Sequence, residues 1–321
     1  MKMAEAAMEP FKNYEQIIRP QNMIEEVRRI VQLMFPDFDF SWIMTVYHDV
    51  IKLFAGDFIG YRKCNTRYHD LRHTEDCTLE FARILHGAFL NGQQVSKRGL
   101  NLGIISALMH DTGYIQKVGD SGGTGAKYTR THVERSIEFT RRYFTIKGYP
   151  AVDYSFCNNC LQCTGLNVKI ENIHFISEEN ELMGKILGVA DLIGQMSDWN
   201  YLEKLPSLFE EYQEGNISGY ENEFDLIKET PEFWKFSQER FRLELGNVDR
   251  YLKDHFKVRW GIDRDLDREA IEFNISRLNY ILKNFPSDYR RFLCRHNLPE
   301  QFSLVQAPDS EELVPQKNQI N

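Results

Sequence analysis

Apolar residues in this chain recur at three- and four-residue spacing and almost never alternate in twos, so helices are the only element it can build in quantity. The periodicity predicts helices near 22–34, 41–54, 70–90, 98–111, 131–146, 151–163, 179–197, 201–214, 221–256 (interrupted near Pro231) and 265–284. Punctuation falls at Pro36, Gly56 and Gly60, Gly92, Gly113–Gly125, Gly148-Tyr149-Pro150, Gly215 and Gly261. The expectation is an N-terminal extension over 1–20, one all-α domain over 21–300, and a polar, disordered tail over 301–321 with Pro308 and Pro315.

At 321 residues the chain can bury one large core or two small ones. A hydrophobic content of 42% with 27% charged residues is that of a globular protein. The net charge of −8 argues against a nucleic-acid partner. No apolar stretch approaches the roughly 20 residues of a membrane span, and the N-terminus lacks a signal-peptide core. Six cysteines without framework spacing fit the reduced thiols of a cytoplasmic protein.

Against that background, polar residues sit where they should not. Leu100–Met109 reads LNLGIISALM, apolar nearly all round, and is closed by His110-Asp111. A carboxylate at the C-terminal end of a buried helix is opposed by both the helix dipole and desolvation, and a cation reverses both. Asp191 lies alone in the apolar run Lys185–Ile193. His73 continues the stripe of Cys77, Phe81, Ile84, Leu85 and Ala88 one turn upstream, and His69 lies four residues before His73, which predicts both rings on one face of one helix. Imidazoles and carboxylates together suit a divalent cation that activates water.

The order H…HD…D resembles the HD superfamily of metal-dependent phosphohydrolases. The segment Tyr68-His69-Asp70-Leu71-Arg72-His73-Thr74-Glu75-Asp76 is similar to the YHNxxHxxD segment of the class I cyclic-nucleotide phosphodiesterases, and Trp199 with Leu208–Gly215 (LFEEYQEG) resembles that family's W…EFFxQGD helix end. The resemblance implies an HD-domain/phosphodiesterase-like helical bundle. It implies metal ligation by His73, His110, Asp111 and Asp191, with His69 as proton donor to the leaving oxygen. Asp111 would bridge one or two divalent ions (Zn, Fe, Mn, Co, Ni or Mg), the second assisted by His132. The implied function is hydrolysis of a nucleotide phosphoester, cyclic or not, as a small-molecule substrate. Departures are Asp70 in place of the family's Asn, HDTGY in place of HDxxH so that Tyr114 replaces a His, and no matching base-gripping glutamine. They leave open a nucleotidase or phosphomonoesterase, a guanosine tetraphosphate hydrolase, or a metal- and nucleotide-binding sensor with weak turnover. Asp70 itself reads either as a local cap or as a residue orienting His69.

Other features carry paired readings. The segment Lys117–Lys127 (KVGDSGGTGAK) is a flexible connector or a lid that binds phosphate through backbone N–H groups with help from Lys127 and Arg130. His132 is a solvated first-turn residue or a second-metal or phosphate ligand, on a helix that Thr131 would cap with Glu134 completing a capping box. Cys157, Cys160 and Cys163 share one helix face and read as small buried thiols rather than a cluster site. His48, His86, His174, His255 and His296 read as surface or satisfied core residues. Phe233, Trp234, Phe236 and Phe241 read as core rather than a base-stacking clamp.

Overall fold

Polar caps written into the sequence start half of the twelve described α-helices. In the computed structural model, which describes residues 16–297, Asn22 opens α1 (Met23–Met34), Ser96 opens α4 (Lys97–Met109) and Ser177 opens α7 (Glu178–Met196), each accepting a backbone N–H three residues on. Left-handed glycines stop others: Gly56 ends α2 (Ser41–Ala55) at φ 85° and Gly148 ends α5 (His132–Lys147) at φ 71°. The remaining helices are α3 (Leu71–Leu90), α6 (Ala151–Gln162), α8 (Tyr201–Glu214), α9 (Glu223–Leu243), α10 (Leu252–Trp260), α11 (Leu266–Asn284) and α12 (Tyr289–Leu293). Among the described residues the one extended pairing is an antiparallel bridge between Tyr61 and Lys117, so the fold is all-α. No described helix is long and apolar enough to cross a membrane. The first fifteen residues and the 301–321 tail lie outside the described residues.

Two helices form the axis. α3 and α7 pack on each other, with α1, α4 and α10 around α3 and with α4, α6 and α11 around α7. A bare backbone lets α4 close on α3: a Cβ at Gly103 of α4 would lie 2.5 Å from the Phe81 ring. The buried set runs through all these helices, from Val27 and Ile30 of α1 to Leu278 and Ile281 of α11. Burying such side chains contributes about 1.5–3 kcal/mol each, the main drive for assembling helices that carry little stability alone.

Three expectations need correction. α9 runs unbroken through Pro231 to Leu243; the chain stops instead at Gly246 (φ 69°) and Asn247 (φ 54°) before the 3₁₀ turn Val248–Tyr251. Thr131 precedes α5 but makes no side-chain cap; His132 caps the turn itself, its Nδ1 2.7 Å from the Thr129 carbonyl oxygen. The segment 117–127 is no loose connector. The Gln116 amide donates to the Gly122 carbonyl at 3.1 Å, Gly125 N–H donates to Asn65 at 2.9 Å, and the Glu214 carboxylate takes both the backbone N–H and the hydroxyl of Thr124.

Candidate metal centre

Asp70 settles between its two readings as a cap. Its Oδ1 accepts the His73 N–H at 2.9 Å and starts α3 there. His69 therefore lies before the helix rather than on its face, a correction to the four-residue spacing. The extended backbone at Asp70 nevertheless returns its ring to within 5.7 Å of the His73 ring.

α4 ends at Met109, and His110 caps it with Nδ1 2.8 Å from the Ala107 carbonyl oxygen. That contact places a proton on Nδ1 and turns Nε2 toward Asp111 and Asp191; against burial, Asp111 raises the ring well above the ordinary histidine value. The tight turn Thr112–Tyr114 follows. At Gly113 a Cβ would lie 2.0 Å from the His132 carbonyl oxygen, so only glycine lets Asp111 approach the start of α5. Arg135 of α5 secures the turn by donating to the carbonyls of Gly113 at 2.6 Å and Ile115 at 3.0 Å. Asp191 arrives from the middle of α7.

The four predicted ligands meet. His73 Nε2 is 3.1 Å from Asp191 Oδ1 and 3.3 Å from Asp111 Oδ2. His110 Nε2 is 3.4 Å from Asp111 Oδ2, 3.6 Å from Asp191 Oδ1 and 3.3 Å from His73 Nε2. Ligands about 2.0–2.2 Å from one ion stand roughly 3.0–3.6 Å apart, at neighbouring corners of an octahedron or tetrahedron. Asp111 Oδ2 is buried without a hydrogen bond from any protein donor, an expensive arrangement that a cation would relieve. Burial alone would neutralise Asp111, but the rings of His110, His69 and His73 hold it well below the usual carboxylate range. Asp191 is likewise lowered, against burial, by His73 and His110. Two carboxylates and two inward imidazole nitrogens thus face one point, and the donor set fits a divalent ion.

Around this centre stands a second set. Tyr114 is stacked between His69 (centroids 4.3 Å apart) and His132 (4.8 Å), with its hydroxyl 3.5 Å from His69 Nε2. Where the resembled family has a His, this chain has a buried aromatic spacer. His132 Nε2 lies 3.9 Å from Asp111 Oδ1, on the side of that carboxylate away from His73. Burial pushes the His132 imidazole below its ordinary value, keeping the neutral form a ligand requires.

Sequence reasoning missed Glu211. Its Oε2 is 2.6 Å from His69 Nδ1, and its Oε1 accepts the backbone N–H groups of Arg67 at 2.7 Å and Tyr68 at 2.6 Å. Burial disfavours a charged His69, yet Glu211, with help from Asp111 and Asp191, raises it above the ordinary histidine value. A signal existed: Glu211 falls three residues after Leu208 and six after Leu205, on the buried face of α8.

The centre opens into a cleft of about 720 Å³ lined by His69, Asp111, Tyr114, His132 and Asp191 at one end and by Leu205, Leu208, Tyr212, Tyr220, Leu226 and Phe233 farther out. Arg130 lines it and donates to the Asn216 carbonyl. Lys127 does not line it: its ammonium is spent on Asp120 and on the Gly122 carbonyl, 2.5 Å away, so the expected phosphate role for Lys127 is not supported by its position. The aromatic group divides, with Trp234 and Phe241 in the core, Phe233 on the cleft and Phe236 exposed. Cys157, Cys160 and Cys163 are buried free thiols, as expected. His48 and His174 are exposed, while His86 and His255 are buried against each other.

The model of the Npun_R2479-like family matches residues 119–245. That stretch holds His132, Asp191 and Glu211 but stops short of His69, His73, His110 and Asp111. No curated protein and no solved structure matches the chain.

Proposed function

We propose that this protein is a metal-dependent phosphohydrolase of the HD type, acting as a phosphodiesterase on a nucleotide phosphoester, cyclic nucleotides included. The observation that carries the reading is the convergence of His73, His110, Asp111 and Asp191, with the orphaned Asp111 Oδ2 at its focus, beside a histidine whose far nitrogen is held by a carboxylate. A divalent ion held by the four (Zn, Fe, Mn, Co, Ni or Mg) would supply Lewis acidity to a phosphoryl oxygen and to water. His132 stands where it could hold a second ion on the Asp111 Oδ1 side.

His69 carries the proton. Glu211 receives Nδ1–H, so Nε2–H faces the cleft and can pass to a departing alkoxide. Tyr114, stacked on the ring, fixes its plane. The apolar wall of Leu205, Leu208 and Phe233 excludes water and accommodates the organic part of the substrate. With Arg130 the one arginine or lysine among the described residues along the cleft, against Asp111, Asp191 and Glu134, the lining suits a single phosphoryl group better than the many charges of guanosine tetraphosphate.

The test is a product assay on metal-loaded protein. Cyclic nucleotides and bis(p-nitrophenyl) phosphate should be cleaved faster than nucleoside monophosphates and p-nitrophenyl phosphate. Strong phosphate release from monophosphates with cyclic nucleotides left intact would replace this reading by a nucleotidase. Metal uptake without turnover of any of them would replace it by a binding sensor.

A further inference from the structure

We infer that Cys77 is an additional, soft ligand of the same centre, engaged by thiophilic cations and left idle by hard ones. The inference rests on the metal reading above and extends it. Cys77 follows His73 by one turn of α3, so its side chain lies beneath the His73 ring on the same face. A ring nitrogen of His110, a carboxylate oxygen of Asp191 and the Cys77 sulfur all lie within 4.8 Å of one another. His73, His110 and Asp111 form a second such group, so the two sets overlap at His110.

Packing brings the sulfur there. Gly194, one turn beyond Asp191 on α7, lets that helix close on α3 until a Cβ would lie 3.1 Å from the Cys77 nitrogen. The other buried thiols behave differently: Cys157 faces the Leu102 carbonyl oxygen at 3.6 Å and Cys163 the Asn159 carbonyl oxygen at 3.5 Å, whereas Cys77 is turned toward the His110 ring. Cys77 is fully buried beside His110 and Asp191, two of the four ligands, while Asp111 Oδ2 is orphaned in the overlapping group.

Thiolate sulfur favours Zn, Cd and Co, and carboxylate oxygen favours Mg and Mn. A thiophilic ion would form a sulfur bond as the thiol gives up its proton to solvent. A hard ion would be held by the nitrogen and oxygen ligands alone. The centre would thereby sort metals by softness.

The experiment loads metal-free protein with cobalt, and separately with cadmium, and reads the near-ultraviolet sulfur-to-metal charge-transfer band together with bound metal per chain. Cys77→Ser and Cys77→Val are measured alongside, with far-ultraviolet circular dichroism to confirm folding. The unmutated protein should show the band, and both variants should lose it while still binding cobalt. Cadmium NMR of the unmutated protein, with a shift in the range of a sulfur donor, gives the same answer without any substitution. Bound metal with no band and an oxygen–nitrogen cadmium shift overturns the inference but spares the metal centre, as does a band that survives in both variants. Failure of the unmutated protein to bind either ion overturns both.

Discussion

Glu211 of α8 holds His69 from behind, its Oε2 2.6 Å from Nδ1, while its other oxygen accepts two backbone N–H groups of the same segment. The carboxylate thus fixes the position, tautomer and charge of the ring at once. His69→Ala should lower kcat by roughly 10²–10⁴-fold on a diester with a poor leaving group, with metal content unchanged. Glu211→Gln should keep the ring in place but remove the charge that favours its protonated form. Because a donor works only while protonated, activity falls as pH rises through the His69 pKa. The alkaline limb of kcat/KM should therefore move to lower pH in Glu211→Gln. Coincident pH profiles, or metal loss in His69→Ala, would refute the assigned role.

Asp111 separates ligand from donor. Asp111→Ala should lose metal and turnover together, unlike His69→Ala. An ion that binds only the native state adds about 2.7 kcal/mol at a hundredfold excess over its Kd, so the unmutated protein should melt higher with metal and the variant should not respond. Elemental analysis finding no metal, with no thermal shift on adding Mn, Zn, Ni or Mg, would refute the centre.

The sequence makes much of this legible, for definable reasons. His110, Asp111 and Asp191 stand out because a polar group inside an apolar helix needs a partner, and the partners prove to be one another. Helix positions follow from a period that local residues set. What stays hidden is decided by contacts between distant segments. Spacing puts Glu211 on the buried face of α8, but its partner His69 emerges only when α8 lies beside the loop before α3. His69 is misplaced by spacing because the Asp70 cap takes precedence over helical continuation. Lys127 looks like an anion ligand until Asp120 pairs with it.

That last pairing yields a contrast. Lys127→Ala should leave KM within about twofold, since the ammonium is spent inside its own loop. Arg130→Ala, which removes the guanidinium from the cleft, should raise KM about tenfold, the loss of one charge-assisted bond to phosphate. Steady-state kinetics on one diester decides it; equal effects would return Lys127 to the site.

Glu214 is the clamp on the same loop. Glu214→Ala should free Thr124 and its neighbours at a cost of about 1–3 kcal/mol. Hydrogen exchange over residues 119–125 should accelerate while α4 and α7 stay protected. Unchanged exchange would show that the Gln116 and Asn65 contacts suffice.

The final prediction concerns stability away from the centre. His86 of α3 and His255 of α10 are buried with their Nδ1 atoms 3.0 Å apart, one donating and the other accepting, and both must be neutral. Burial, with Arg259 nearby, lowers His86 to about 4, and burial with Arg83 and Arg259 puts His255 well below the ordinary value. The unfolded chain therefore binds protons that the folded one refuses, and stability falls as pH drops from about 6.5 toward about 4. His86 alone accounts for roughly 3 kcal/mol at 1.36 kcal/mol per pH unit. Asp76, raised to about 6, and Asp265, raised to about 7, act in the opposite sense because burial already disfavours their charged forms. The comparison must therefore be made against a variant in which only the pair is changed. Urea denaturation at about pH 7.5 and about pH 5 should show a smaller loss of stability on acidification for His86→Leu/His255→Leu than for the unmutated protein. Parallel losses in the two proteins would mean that the pair carries no acid sensitivity.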